Sequence, residues 1–225
     1  MSYNSDVVPT GPYAKRENGA EEVGLGGESA AALQKREQIQ RIAAQLFAGN
    51  GYRATGVAEI GDAVGLGRGA LYYHIGSKED LLFRISAKYM EELVESGRRI
   101  LEEPDPYDRI RMLSRYLMRT ISSNLAEMTV CFREVDALTG ERRTIVSRLH
   151  QDYQDIWRET LRDGAEKGHF RELPLVALKG ILGMYFYSFL WLRADGKQSA
   201  DEIAEIFSDM VFSIVERRKG RRAAI

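Results

Sequence analysis

Arg68 and Tyr72 stand four residues apart, with Gly69 and Tyr73 beside them and His74 and Lys78 just beyond. On a helix that spacing puts side chains on one face, so a guanidinium, phenol hydroxyls and a bare glycine surface share a single side. A guanidinium fork matches the paired acceptors of a guanine edge or two phosphate oxygens. A phenol reaches a phosphate or lies on a thymine methyl, and the Lys78 ammonium suits a phosphate. Arg53 and Thr55, earlier in the chain, add another cation and a hydroxyl. This is the chemistry of close approach to a polyanion such as duplex DNA. Each group also has a plainer use: tyrosines on a short helix are more often packing residues, and the His74 ring packs between helices as readily as it meets phosphate.

Such a face needs a short helix held rigidly, and the surrounding residues predict one. Thr55 is placed to cap a helix carrying Val57, Ile60 and Val64 that breaks at Gly65. A second short helix is predicted from Arg68 to Ile75, with Leu71 and Ile75 facing the core and Gly67 ahead of it. Gly65 suits a turn with positive φ, and Gly61 and Ala63 are small enough for the two helices to pass closely. Before them, Leu33, Ile39, Ile42, Ala43, Leu46 and Phe47 recur at helical spacing up to Gly49-Asn50-Gly51. After them, Gly76-Ser77 interrupts the chain, and Ser77 with Asp80 forms something close to a capping box for a long helix. Two short helices across a tight glycine turn have the layout of a helix-turn-helix, whose second helix enters the major groove.

The rest of the chain predicts helices throughout. Pro104 and Pro106 precede an amphipathic run at Ile110–Asn124. Further helices are expected at Arg142–Lys167, stopped by Gly168, at Leu175–Arg193, ended near Gly196, and at Ala200–Arg218. No strand pattern emerges. The last helix carries one apolar stripe, whereas the helix before it is apolar nearly all round and needs more cover than a small domain provides. Subunit pairing would supply it, through Met184, Tyr185, Tyr187, Trp191, Ile203, Phe207, Met210 and Ile214 as a four-helix interface. On the middle helices, Met112, Tyr116, Met128, Phe132, Tyr153 and Trp157 suit an adaptable apolar cavity, or equally a plain core.

Bulk properties narrow the class. The 225 residues are 44% hydrophobic and 29% charged, with net charge −1, ordinary values for a globular protein. The charge is segregated: residues 33–90 carry 8 Lys and Arg against 5 Asp and Glu, and residues 91–215 carry 17 against 22. Cys131 is the single cysteine, so neither an intrachain disulfide nor a cysteine zinc cage can form, which fits a reducing, cytoplasmic setting. His74, His150 and His169 lack metal-site spacing, so no metal or cofactor is expected. The apolar run Ile181–Leu192 is too short to span a bilayer. There is no Gly-rich phosphate loop and no nucleophile-elbow pattern, so catalysis is not expected. Residues 1–30 read as a disordered acidic tail, and Arg217-Arg218-Lys219-Gly220-Arg221-Arg222 as a basic end.

From Ile39 to Leu82 the chain resembles the amino-terminal domain of the TetR family of bacterial regulators. The pattern is carried by Ile39, Ala43-Ala44, Leu46-Phe47, Gly51-Tyr52, Thr55, Ile60, Ala63, Val64-Gly65, Gly69, Leu71-Tyr72-Tyr73-His74 and Ser77 to Leu82. Gly61, Gly67 and Ile75 depart from the family's usual Ala, Ser and Phe, which predicts a somewhat looser module. The resemblance implies an all-α protein with a three-helix DNA-binding domain at 31–77, a larger helical ligand-binding and dimerisation domain at 78–220, and a basic tail at 221–225. It implies DNA contacts from Thr55, Tyr72, Tyr73, His74 and Lys78, to which Arg53, Gly67, Arg68 and Gly69 are added here. It further implies a homodimer on a palindromic operator, released by a small effector and acting as a repressor. Gly168-His169-Phe170, Trp191, Gly196 and Ala200-Asp201-Glu202-Ile203 are similar to members that respond to acyl-CoA thioesters, whose acidic head group Arg115, Arg158 or Arg162 would meet.

Overall fold

Gly65, Gly76 and Gly168 all take positive φ and each ends a helix, as their positions in the sequence predict. The computed structural model describes residues 30–193 and 196–216, so the predicted acidic tail, but for its last residue, and the basic end lie outside it. Among the described residues there are nine α-helices and no strand: α1 (Ala30–Asn50), α2 (Val57–Val64), α3 (Arg68–Ile75), α4 (Lys78–Ile100), α5 (Pro106–Ser123), α6 (Leu125–Arg133), α7 (Gly140–Glu166), α8 (Leu175–Phe186) and α9 (Ala200–Val215).

Two buried clusters organise them. The first joins Ile39, Ala43 and Phe47 of α1 with Ile60, Val64, Leu71 and Ile75 of the helix-turn-helix. It continues into Leu81, Leu82 and Ile85 of α4 and reaches Val130, Leu138 and Val146 beyond. A boundary at residue 77 therefore falls at a helix cap and not at a gap between cores. Leu33, predicted on the apolar stripe of α1, is exposed. The second cluster fills the space between α4, α5, α7, α8 and α9, with Trp157, Tyr153 and Tyr185 at its centre.

The turn between α2 and α3 is tight for a specific reason. Gly65 sits at φ 68° and Leu66 N–H donates to the Gly61 carbonyl at 2.9 Å. A Cβ on Gly61 would lie 2.8 Å from the Leu66 carbonyl oxygen, a main-chain atom that cannot swing aside. The expectation of a looser module is therefore reversed at Gly61, where glycine permits the close turn. Ala63, predicted at the helix contact, is exposed instead. We expect Gly61→Ala to destabilise the fold by about 1–2 kcal/mol, overpacking outweighing the roughly 1 kcal/mol gain in helix propensity; a thermal melt measures it.

Two predicted boundaries move. Thr55 does not cap α2: Gly56 is the N-cap, and the Thr55 hydroxyl donates to the carbonyls of Leu46 and Gly51 at 3.3 and 3.0 Å. The helix predicted to run to Arg193 stops at Phe186 and passes into a 3-10 turn, Tyr187–Leu190. Residues three apart eclipse in such a turn, which lets Phe186 and Phe189 both stack toward Phe132, with ring centroids 4.6 and 6.3 Å away.

Candidate nucleic-acid interface

The outer face of α3 is built as its residue types require. Arg68, Gly69 and Tyr73 are exposed, Tyr73 at 79%, while Leu71 and Ile75 on the opposite side are fully buried. Tyr72 is half-buried, and the Arg68 guanidinium lies 5.7 Å from its ring centroid. A Cβ at Gly67 or Gly69 would meet nothing within 4 Å, so the surface there is open to a flat partner. Gly67 caps α3 without a side-chain bond and the first turn holds no acid, leaving its positive end available to phosphate.

The carbonyl ends of α3 and α2 are held by side chains of other helices. Arg84 on α4 donates to the Ile75 and His74 carbonyls, closing the helix's carbonyl end, and Lys35 on α1 donates to the Val64 carbonyl at 3.1 Å. Neither was predicted; for Arg84 the available signal was a cation in the second turn of the helix that follows α3. Ser77 accepts from Asp80 N–H at 2.9 Å, and its hydroxyl donates to the Asp80 carboxylate at 2.6 Å. These bonds hold the Asp80 pKa below the ordinary carboxylate value, with Arg142 adding to the effect. Lys78 lies across Tyr52, its ammonium 4.3 Å from the ring centroid; burial lowers its pKa, opposed by Glu134 and Glu59.

The predicted contact residues thus separate. Arg53, Gly67, Arg68, Gly69 and Tyr73 are exposed, and Tyr72, His74 and Lys78 partly so. Thr55 is only 1% exposed with its hydroxyl spent internally, so it braces the loop and offers nothing to phosphate. His74 packs edge-on against Tyr73 at 5.3 Å, and its Nδ1 finds no partner among the described residues.

In the body, the predicted pocket residues fall in different surroundings. Met128, Tyr153 and Trp157 are core, Tyr116 is half-buried against it and Met112 is exposed. Phe132 borders a cleft of about 590 Å³ that it shares with Cys131, Arg133, Val135, Ser147, His150, Phe186, Tyr187 and Phe189. A second cleft of about 490 Å³ runs along Arg158, Leu161, Arg162 and Glu166 to Leu178. The predicted interface set divides too. Tyr185 and Ile203 are buried within the protomer, the Tyr185 hydroxyl sharing a 2.6 Å hydrogen bond with Ser114. Met184, Phe207 and Ile214 are half-buried, and Tyr187, Trp191 and Met210 are exposed. Val176, Leu190 and Ile206 extend that exposed apolar face and were not predicted. Arg115 and Arg119, on α5, are bound to Glu205 and Asp201 of α9 at 2.6 Å.

Burial lowers the His150 pKa from 6.5 to about 4. Between those values the unfolded chain binds a proton that the folded chain refuses. The resulting stability is fully present above pH 6.5 and is lost as pH falls toward 4. We expect about 2 kcal/mol of loss between pH 7 and 5, above the range where the carboxylates titrate; melts of wild type and His150→Gln over that window should differ in slope.

Among the described residues no cluster of three metal-binding side chains exists and no helix is long and apolar enough to cross a membrane. The chain matches the description of bacterial regulatory proteins of the tetR family over residues 39–85, and that of the tetracyclin repressor-like C-terminal domain over residues 103–215. The transcriptional repressor KstR2 of Rhodococcus jostii is 28% identical over 181 residues, covering 79% of this chain and 89% of that protein. The TetR-family regulator PfmR of Thermus thermophilus has the same fold with a TM-score of 0.74 and 33% identity, over 80% of this chain and all of that one. AibR, crystallised with isovaleryl coenzyme A and operator DNA, gives a TM-score of 0.71 and 28% identity over 79% of this chain and 98% of that one. With matches spanning both its helix-turn-helix and its helical body, the chain belongs to the TetR family of bacterial transcription regulators, which act by binding DNA and not by catalysis.

Proposed function

We propose that the chain is a homodimeric repressor that grips a palindromic operator with its two α3 helices and releases it when a small, largely apolar effector of acyl-CoA type enters the helical body. The observation that carries this reading is the α3 face: Arg68, Gly69 and Tyr73 are exposed around a helix end free of acids, on a helix whose other side is wholly buried. Residues 31–77 with the start of α4 do the reading, and residues 78–220 pair and sense.

Pairing is supported by the unpartnered apolar face of α8, its 3-10 extension and α9. Val176 is 72% exposed, and Tyr187, Leu190, Trp191, Ile206 and Met210 are exposed with it. Single exposed apolar residues are common, but six of them on α8, α9 and the turn that follows α8 favour a covered face. A two-fold pair would set the recognition helices at least about 34 Å apart, one turn of duplex. The acyl-CoA class is supported by AibR, whose structure holds such a thioester together with operator DNA. Such a protein would work in the cytoplasm, where the DNA is. A gel shift of the pure dimer with the DNA upstream of its own gene tests the reading. Retardation that fades with salt and with acyl-CoA is expected; no retardation at low salt would favour a helical protein-binding adaptor.

A further inference from the structure

We infer that the acidic segment from Glu17 to Glu28 lies over the outer face of α3 when no DNA is bound, pairing with Arg68 and its neighbours, and that duplex DNA must displace it. The inference rests on the regulator reading above and adds a competitor, carried by the same chain, for the same face. Residues 1–29 carry 5 Asp and Glu against 2 Lys and Arg, and residues 33–90 carry 8 Lys and Arg against 5 Asp and Glu, so the two excesses are equal and opposite. In the 13 residues from Glu17 to Ser29 the charged side chains are Glu17, Glu21, Glu22 and Glu28 alone. The two cations of the segment, Lys15 and Arg16, come before them.

The face it covers lacks counter-charges of its own. Arg53 and Arg68 are exposed and make no ion pair among the described residues. In the body, by contrast, Arg98, Arg109, Arg115, Arg119, Arg142 and Arg158 each hold a carboxylate. Glu59 of α2 is spent on its own helix end, where it accepts from the Asn50 side chain at 3.0 Å and from Gly56 N–H at 3.3 Å. Lys78 adds a partly exposed ammonium beside Tyr52. Val23 and Leu25, set among the glutamates, suit the exposed ring of Tyr73.

Chain connectivity delivers the segment to this end of the module. Lys35, in the second turn of α1, donates to the carbonyl of Val64, the last residue of α2, at 3.1 Å. Gly67, the N-cap of α3, follows just after the Gly65 turn. From Ala30 to Lys35 the helix rises about 7.5 Å, so Ala30 lies within about 30 Å of Gly67. The stretch from Glu17 to Ser29 spans up to about 43 Å when extended, so its glutamates reach Arg68 with slack. A tethered group acts at an effective concentration on the order of millimolar. Exposed ion pairs that are individually weak therefore compete with DNA, and salt screens them. Because the segment occupies the free protein, it lowers the affinity for every duplex by the same factor.

The test uses the full chain, with Glu17→Gln, Glu21→Gln, Glu22→Gln and Glu28→Gln combined in one variant. Its melting temperature should match wild type. At low salt, anisotropy should show affinity raised about threefold to tenfold for a duplex from upstream of its gene and for an unrelated duplex alike, with the gain fading as salt is added. Simple repulsion between the glutamates and DNA gives the same gain, so a second measurement locates the segment. Carbodiimide coupling of the wild type, read by peptide mass spectrometry, should join Glu21 or Glu22 to Lys78 or Lys35 without DNA and lose that link when DNA saturates the protein. Lys179, exposed on α8, should not be joined. Unchanged or lowered affinity in the variant would overturn the inference, and so would a gain without the link. Failure of wild type and variant to bind any duplex, with the link present, would count against the regulator reading instead.

Discussion

Arg68→Ala should weaken operator binding by about 1–3 kcal/mol at each half-site while the helix content and the dimer stay as they are. The guanidinium is exposed and lies against the Tyr72 ring, 5.7 Å from its centroid, so its removal leaves no buried group unpaired. Tyr72→Ala should cost affinity too, but with some loss of stability, because Tyr72 also packs on the helix-turn-helix core. Anisotropy titrations with paired melts separate these effects. If Arg68→Ala binds like wild type, the reading face lies elsewhere on the molecule. Lys78→Ala should act differently, weakening binding to all sequences and flattening the salt dependence by about one unit, because one fewer phosphate is neutralised.

Trp157→Ala should destabilise the fold by about 3–5 kcal/mol. The indole is fully buried beside Tyr153 and Tyr185, the Tyr185 ring 5.3 Å away, and the space left behind is enclosed by helices that cannot collapse into it freely. A residue lining an open pocket would cost much less, since water or ligand already occupies one side of it. Denaturant titration of the variant therefore distinguishes a filled core from a ligand seat. A loss under about 1 kcal/mol would mean that the centre of the body is not the close-packed core that the buried side chains imply.

The helix-turn-helix was legible because its constraints are local. Gly65 and Gly76 announce positive φ, Ser77 announces a cap, and the alternation of Leu71 and Ile75 with Arg68 and Tyr72 fixes which side of α3 turns inward. What the sequence left open depends on distant partners. Thr55, read as the cap of α2, gives way to Gly56 because the carbonyls of Leu46 and Gly51 draw the Thr55 hydroxyl inward. The end of α8 depends on where Phe132 lies, a residue on another helix. On a helix apolar nearly all round, packing against Ser114, Trp157 and Phe207 of three other helices decides that Tyr185 goes in while Val176 stays out. Large side chains at Met128, Tyr153 and Trp157 carry the same signature whether they enclose a cavity or fill it. Arg84 and Lys35 look like any solvated cation until the carbonyl ends of α3 and α2 that they hold are seen beside them.

The central claim is that two copies of the α3 face read a two-fold operator, and a hydroxyl-radical footprint of the dimer on its upstream DNA tests it most directly. Two symmetric protected segments are predicted, centred about one helical turn or somewhat more apart, both abolished by Arg68→Ala. Uniform protection along the fragment, or a single unpaired segment that Arg68→Ala leaves intact, would contradict it.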